Sequence, residues 1–333
     1  LGAASAMFES AMLSTWISTP EKDNDGTADS AITDVATTGG GTVTVTSGMT
    51  WMVGHLVYQS GFTNAANNGV FKVTTGGTTT YVCSAGSFTA EAAPPATARI
   101  KVVGIEGASG DIVATATGLT STTMNFVTAG IVVGQWLKIG GTAAGTKFAT
   151  AANTGWARVT AVSANAITLD NRPSGWTTDA GSAKTIRIFF GDVIRNGTTL
   201  LGLTFERAFL GQTTPTYIVQ KGLCADTLEM NFSDGDAVMA NFSFIGMTGS
   251  ESTSAISGAT YVAAPTNVVM TSNAAVGEIR IGGSAAGSPN WVKNMTLRSQ
   301  NNLRAKTASG NVGAVDIGMG SHMPTGTIDA YFG

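Results

Sequence analysis

Side chains able to move a proton or hold a metal are few in this chain and stand far apart. The only histidines are His55 and His322, and the only cysteines are Cys83 and Cys224. A structural zinc needs four such ligands at close spacing, and a general base needs a partner to orient it; this chain offers neither. His322 precedes Met323 and Pro324 and reads as a loop residue, while each cysteine sits in an apolar run, where a thiol packs as a small hydrophobe. Asp234 and Asp236 are close, but within Ser233-Asp234-Gly235-Asp236, the composition of a hairpin tip. Glu206 and Glu229 belong to alternating segments and face a polar surface, a lumen or an interface. Asp23-Asn24-Asp25-Gly26 opens like a calcium loop, yet the closing Glu and second helix of an EF-hand are missing. No Gly-x-Ser-x-Gly elbow and no Gly-Lys-Ser/Thr phosphate loop occurs. Asn-x-Ser/Thr triplets at Asn196, Asn231, Asn241 and Asn294 are assigned no role. Lys293, Arg298, Arg304 and Lys306 form a mild basic cluster, either a solvated face or a charged contact between subunits. No catalysis, metal or cofactor is expected.

The elements that carry these residues are strands. Between Thr199 and Gly246, Leu201, Leu203 and Phe205 alternate with Gly202, Thr204 and Glu206, and Leu228, Met230 and Phe232 alternate with Thr227, Glu229 and Asn231. After the tip, Val238, Ala240, Phe242 and Phe244 alternate with Met239, Asn241 and Ser243. A period of two places one set on each face. The expectation is a long antiparallel hairpin, dry along Leu201, Leu203, Phe205, Phe242 and Phe244, and polar along Glu206, Glu229 and Asn241. Residues Ala3 to Trp16 carry the three- and four-residue spacing of the one convincing helix, ended by Pro20. The polar run Glu21 to Ser30 and the triplet Gly39-Gly40-Gly41 read as a flexible connector.

An internal repeat follows. Val53-Gly54-His55-Leu56-Val57 leads through Gly61 to FTNAANNGVFKVT (Phe62 to Thr74); Val133-Gly134-Gln135-Trp136-Leu137 leads through Gly141 to FATAANTGWARVT (Phe148 to Thr160). His55 aligns with Gln135, so that place accepts a residue that cannot titrate. Asn67, Gly69, Asn153 and Gly155 read as turn residues. Further strands are expected at Thr79 to Cys83 and Arg99 to Val103 in the first copy, and at Ala166 to Leu169 and Thr185 to Phe189 in the second. The unit is a small β-barrel or sandwich used twice. Later strands are expected at Gly258 to Val262, Asn267 to Met270, Glu278 to Ile281, Trp291 to Ser299 and Thr325 to Phe332.

Composition narrows the class. The 333 residues suit two or three domains. Charged residues are 12%, about half the ~25% of ordinary soluble domains, as expected of a strand-rich protein whose surface is covered by neighbours. The net charge of -3 excludes the basic balance of a protein that grips nucleic acid, and is compatible with nucleic acid sliding past. No apolar run reaches the ~18 residues of a membrane span, and no stretch of this sequence has the basic-then-apolar pattern of a signal peptide. Leu1 opens the chain inside the helix, so the natural N-terminus is expected to be missing.

Residues 192–333 resemble the major tail tube proteins of long-tailed, non-contractile (siphovirus-type) bacteriophages. The likeness runs through Arg195-Asn196-Gly197-Thr198-Thr199, Thr204-Phe205-Glu206-Arg207-Ala208-Phe209, Met239-Ala240-Asn241-Phe242-Ser243-Phe244, Gly246-Met247 and Gly258-Ala259-Thr260-Tyr261. It continues through Asn301-Asn302-Leu303-Arg304-Ala305, Gly313-Ala314-Val315-Asp316-Ile317-Gly318 and Thr325-Gly326-Thr327-Ile328-Asp329-Ala330-Tyr331-Phe332. The helix Met7 to Trp16 is similar to the one preceding that family's variable insertion. Strands before the helix and chain after the last strand, usual in the family, are missing here. The resemblance implies an antiparallel β-sandwich or barrel tube domain, mainly β with one helix, interrupted by two inserted β modules. The expected plan is 1–40 for the first tube segment and linker, 41–106 and 107–190 for the modules, and 191–333 for the rest of the tube domain. It further implies six copies per ring, rings stacked into a hollow tail, and DNA passing without specific binding. Glu206, Glu229 and Asn241 would face the lumen, and Asn301, Asn302, Arg304 and Lys306 the next subunit. Tape measure, tail terminator and tail tip proteins would be partners, in the virion tail after assembly in the host cytoplasm. The alternative is a surface β-sandwich adhesin binding a glycan, with Trp51, Trp156 and Trp176 as candidate aromatics; Trp136 and Trp156 sit in apolar strand runs and are expected in the core.

Overall fold

The computed structural model describes residues 2–24, 32–46, 48–84, 88–259, 269–272, 279–281, 284–285 and 291–331. The protein is mainly β, with one α-helix and antiparallel sheets, and no sheet closes into a barrel among the described residues. Helix α1 (Gly2–Met12) precedes β1 (Glu21–Asp23), β2 (Ile32–Ala36), β3 (Thr42–Val45), β4 (His55–Ser60), β5 (Gly69–Thr75), β6 (Thr80–Cys83), β7 (Glu91–Ala92) and β8 (Arg99–Glu106). Next come β9 (Val113–Ala114), β10 (Gly118–Thr120), β11 (Trp136–Ile139), β12 (Gly155–Val162), β13 (Ala166–Asp170) and β14 (Arg187–Phe189). The chain continues with β15 (Leu203–Phe209), β16 (Thr216–Ser233), β17 (Met239–Ile245), β18 (Thr248–Ser252), β19 (Arg280–Ile281) and β20 (Ser284–Ala285). It closes with β21 (Trp291–Gln300), β22 (Arg304–Thr307), β23 (Ala314–Gly318) and β24 (Met323–Tyr331). Two compact units result: Leu1–Trp16 with Ile194–Ile281 and Ala285–Gly333, and Ile17–Val193 with Gly282–Ser284.

The second unit holds a 14-stranded sheet in which β8 pairs with β14. Outward from β8 the order is β4, β5, β6, β3, β2; outward from β14 it is β11, β12, β13, β10, β9. The sequence repeat is therefore a repeat of topology. The two copies are not separate modules, because one core takes Val57, Val73 and Ile100 from the first together with Leu137, Val159 and Ile188 from the second. Each such side chain, fully buried, contributes about 1.5–3 kcal/mol. Turn chemistry repeats as well. Gly54 and Gly134 take positive φ (94° and 88°), after which His55 Nδ1 accepts the Met52 N–H at 3.2 Å and Gln135 Oε1 accepts the Val132 N–H at 3.1 Å. Asn67 and Asn153 each end a three-residue 3-10 turn, with Gly69 and Gly155 opening the next strand.

The connector expected before residue 41 belongs to this unit. β1 pairs with β8, and β2 pairs with β3 and β7, burying Ile32 and Val35. Two apolar residues three apart in a polar run are too short a signal to read as a strand. Asn24 accepts the Ile32 N–H at 2.6 Å and donates to the Pro94 carbonyl at 2.9 Å, which makes it a tie across the chain; Asp25 and Gly26, the rest of the calcium-like tetrad, lie outside the described residues. Where the unit begins and ends, Ile17 and Val193 exchange two backbone hydrogen bonds of 2.8 and 3.0 Å.

In the first unit, α1 stops at Met12 rather than Trp16. Leu13 turns left-handed (φ 52°) and the Ser14 N–H reaches the Glu9 carbonyl at 3.2 Å, a C-terminal cap made locally and not by Pro20. The next carbonyls are satisfied by the Arg195-to-Thr199 segment: Gly197 N–H donates to Met12 and Thr199 N–H to Leu13, at 2.8 and 2.9 Å. A Cβ on Gly197 would sit 2.4 Å from the Leu13 carbonyl, so the close approach demands glycine. The 18-residue β16 is the spine, lying between β15 and β18 in its first half and between β17 and β21 in its second, with β24 beyond β21. Tyr217 and Leu228 lie on this single strand; a register shift and left-handed Gly222 (φ 66°) absorb a break in its alternation. Of the strand expected at Glu278 to Ile281, Arg280 and Ile281 form β19, with Glu278 outside the described residues; Thr260 to Val262, Asn267 and Val268 lie outside them too, while Val269 and Met270 are not in a strand and Gly258 makes a turn.

Candidate functional site

The β16–β17 hairpin has the two faces its alternation demands. On one, Ala225 and Leu228 pack with Ala11 of α1, joined by Phe8, Met230, Phe242 and Phe244. Phe8 meets Phe242 edge-on at 5.2 Å, and Phe205 meets Phe244 at 4.9 Å. On the other face, cross-strand register sets Asn241, Glu229, Arg298 and Thr325 in one row across β17, β16, β21 and β24. The adjacent row is Met239, Asn231, Thr296 and Thr327. Opposed residues share one side of the sheet, so Glu229 and Arg298 bring opposite charges to one rung, and Asp329, opposite Asn294 two rungs along, adds a second acid. Glu206 is not part of this face. It lies opposite Val219, ten residues or about 33 Å along β16 from Glu229, and its carboxylate accepts the Ile256 N–H at 2.7 Å. Asp234 and Asp236 form the hairpin tip, closed by the Asp236 N–H on the Ser233 carbonyl at 3.2 Å.

The expected interface residues divide into a buried and an exposed pair of roles. Asn301 is buried, and its amide donates to the Ala11 carbonyl at 2.8 Å and the Ala225 carbonyl at 3.1 Å, while Oδ1 meets His322 Nδ1 at 3.1 Å. Its hydrogen bonds lock the helix to β16 within the chain. Asn302 is left-handed (φ 49°) and donates to the Ser321 carbonyl. Arg304 and Lys306 stand exposed on the two-stranded β22–β23 hairpin, Lys306 in contact with Asp316 at 2.5 Å. That ammonium, then the Ile317 N–H, hold the Asp316 carboxyl below its usual range. The basic residues are thus spread out, with Arg298 on the polar face and Lys293 over the Tyr331 ring.

Ser10 and Asp226 join the same lock, and sequence reasoning passed over both. Ser10 Oγ donates to the Leu201 carbonyl and accepts the Ala225 N–H, at 2.8 and 2.9 Å. Asp226 accepts the Leu303 N–H on its side chain at 2.6 Å and the Asn301 N–H on its carbonyl at 2.8 Å. A serine on the helix stripe and an acid inside a strand were the available signals. In the second unit the missed residues are Glu91 and Asp179, equivalent in the two copies, which accept the N–H groups of Thr63 and Thr150 at 2.8 Å each.

Among the described residues no three His, Cys, Asp or Glu side chains gather to hold a metal, and no helix is long and apolar enough to cross a membrane. Cys83 and Cys224 are buried and unbridged, and burial pushes the Cys83 thiol up to about 12. A cleft of about 590 Å³ contains Lys72 and Glu106, but these pair at 3.1 Å and Glu106 also holds Arg187 at 2.6 Å. The tryptophans change places relative to expectation: Trp51 is buried against Tyr81 and Trp176 packs on the core, whereas Trp136 and Trp156 are each 41% exposed. They occupy the outward positions of strands whose alternate residues, Leu137 and Ala157, face the core.

The last strand bears on assembly. β24 pairs with β21 and is exposed at each position except Ala330, with Met323, Ile328 and Tyr331 among the exposed apolar groups. A family model described as phage tail tube protein matches residues 148–333, from the second repeat copy through β24. No curated protein matches the chain.

Proposed function

Because the chain belongs to the phage tail tube protein family and is a structural component of a virion tail, we propose that it assembles into stacked hexameric rings whose bore is lined by the Glu229 face. The observation that carries this reading is β24: nine residues of antiparallel strand that end their sheet beyond β21 and are exposed at each position except Ala330, the kind of edge that pairs with another chain. In a ring, β24 of one copy pairs with a strand edge of the next, and closure around the ring leaves no free edge. The face carrying Asn241, Glu229, Arg298 and Thr325 then turns inward. Its two acids, Glu229 and Asp329, outnumber its one base, Arg298, so passing phosphates meet no net attraction to hold them. Arg304 and Lys306 on the β22–β23 hairpin, with Asn302 beside them, contact the neighbouring copy, and the tape measure, terminator and tip proteins meet the ends of the stack. Assembly takes place in the host cytoplasm, and ejection requires no catalytic group.

Electron microscopy of the purified protein tests the reading: stacked rings with an axial bore are expected, and a strictly monomeric protein that never enters tails would sink it. Glu229→Lys separates the lumen from the assembly surface. Tubes still form, but DNA release from phage carrying the substitution slows, because the face then carries two cations against Asp329 alone; unchanged ejection kinetics remove Glu229 from the bore.

A further inference from the structure

The solvent side of the inserted unit's second copy alternates aromatic and charged side chains. In the β11–β12 ladder Trp136 lies opposite Arg158, and Lys138 opposite Trp156. Lys138 also lies opposite Phe189 of β14, and Arg158 opposite Asp170 of β13. Opposed residues on antiparallel strands point to the same side, with Cβ atoms about 4.5–5.5 Å apart. The six therefore make two adjoining rows, one of Asp170, Arg158 and Trp136, the other of Trp156, Lys138 and Phe189. Trp136 and Trp156 are diagonal neighbours, each 41% exposed, and Arg158 grips Asp170 in a fork with Nε at 3.0 Å and Nη2 at 2.5 Å.

The internal repeat compares the two tryptophan positions with another residue in the same fold. Val70, 40% exposed, stands in the first copy where Trp156 stands in the second, so that outward place is filled without an indole; the place of Trp136 is taken by Leu56, which is buried. The turn glycines, the Asn of each 3-10 turn and a clamping carboxylate are kept in both copies. Positions that carry the turns are shared, whereas the outward place of Val70 and Trp156 differs, and Trp136 brings an exposed indole where the first copy buries Leu56.

We propose that this face binds a polysaccharide chain, the two indoles stacking on the C–H faces of successive sugar rings while Lys138 and the fork of Arg158 and Asp170 exchange hydrogen bonds with ring hydroxyls. Charge selects this occupant. The six side chains carry two positive charges and one negative, and Arg158 is already neutralised by Asp170; a nucleic acid brings a phosphate per nucleotide that must be matched. An apolar protein partner would bury the Arg158 and Asp170 pair at a desolvation cost. A sugar hydroxyl both donates and accepts, so it satisfies a guanidinium, an ammonium and a carboxylate without removing their charges. The proposal stands independently of ring assembly.

Affinity electrophoresis of the full chain in native gels cast with dextran, alginate or glycol chitosan tests it. At least one polymer retards the protein, the double variant Trp136→Ala/Trp156→Ala loses tenfold or more in apparent affinity, and Trp136→Phe/Trp156→Phe retains binding, with melting temperature checked for all three proteins. The proposal is overturned if none of the polymers retards the wild-type chain, or if the alanine variant is retarded equally. It is also overturned if the substitutions alter only oligo-dT binding or only the sedimentation of the protein, which would make the face a nucleic-acid or self-association surface.

Discussion

His55 illustrates how a titratable residue can be purely architectural. Its Nδ1 accepts the Met52 N–H in the turn where Gln135 accepts the Val132 N–H in the other copy, so His55→Gln is expected to change stability by less than about 1 kcal/mol. His55→Ala strands the N–H and costs about 1–3 kcal/mol, read as a lower melting temperature. Burial holds the imidazole below its ordinary pKa. Between that lowered value and the unfolded value near 6.5 the unfolded chain binds more protons, so stability falls as pH drops through this window, and His55→Gln flattens the slope. Glu91 works on a different group in the same direction. Burial pushes its carboxyl up, but the Thr63 and Asn64 N–H groups and the Asn67 amide outweigh that and hold it low. The resulting stability is complete above the ordinary Glu value and lost as pH falls through the lowered one. Glu91→Gln should therefore melt about 1–3 kcal/mol less stable at neutral pH, with the gap to wild type narrowing in acid; a constant gap from pH 7 to pH 3 would refute the carboxylate's role.

At the scale of elements, the edge strand carries the sharpest consequence. Ile328 is 47% exposed on β24. Ile328→Asp should leave the monomer's thermal melt within about 0.5 kcal/mol, as for exposed substitutions, while abolishing tubes in electron micrographs and shifting size-exclusion elution to the monomer. The period of two made the β16–β17 hairpin, the repeat and the strands at β6, β8, β13 and β14 legible before any coordinates, because alternation is written residue by residue. What it cannot write is which face another element covers. Trp136 and Trp156 read as core since they stand among apolar neighbours, yet those neighbours are the buried half of the alternation and the tryptophans the exposed half. β2 escaped because its burial comes from pairing with β3 and β7, 6 and 55 residues on from its last residue, Ala36. Asn301, expected at a subunit contact, spends its amide on Ala11 and Ala225, hydrogen bonds spanning 290 and 76 residues that no local pattern announces.

For the whole molecule, division into two units gives a direct experiment. Residues 17–193 have their own core, 32 buried hydrophobic side chains among the described residues, and their own sheet, so expressed alone they should melt cooperatively and keep the full chain's polysaccharide response. Residues 1–16 joined to 194–333 by a short Gly/Ser bridge should still form tubes; aggregation of both pieces would show that the units depend on each other to fold. The pairing of Ile17 with Val193 makes this practicable, and its meaning reaches past the experiment. Two hydrogen bonds across a single residue pair bring entry and exit to one strand spacing, about 5 Å, so the chain leaves and re-enters the tube unit through a doorway one ladder rung wide. Any folded cargo whose termini meet at that spacing could be threaded through the same doorway, and a tail built from such subunits would display it at every lattice point.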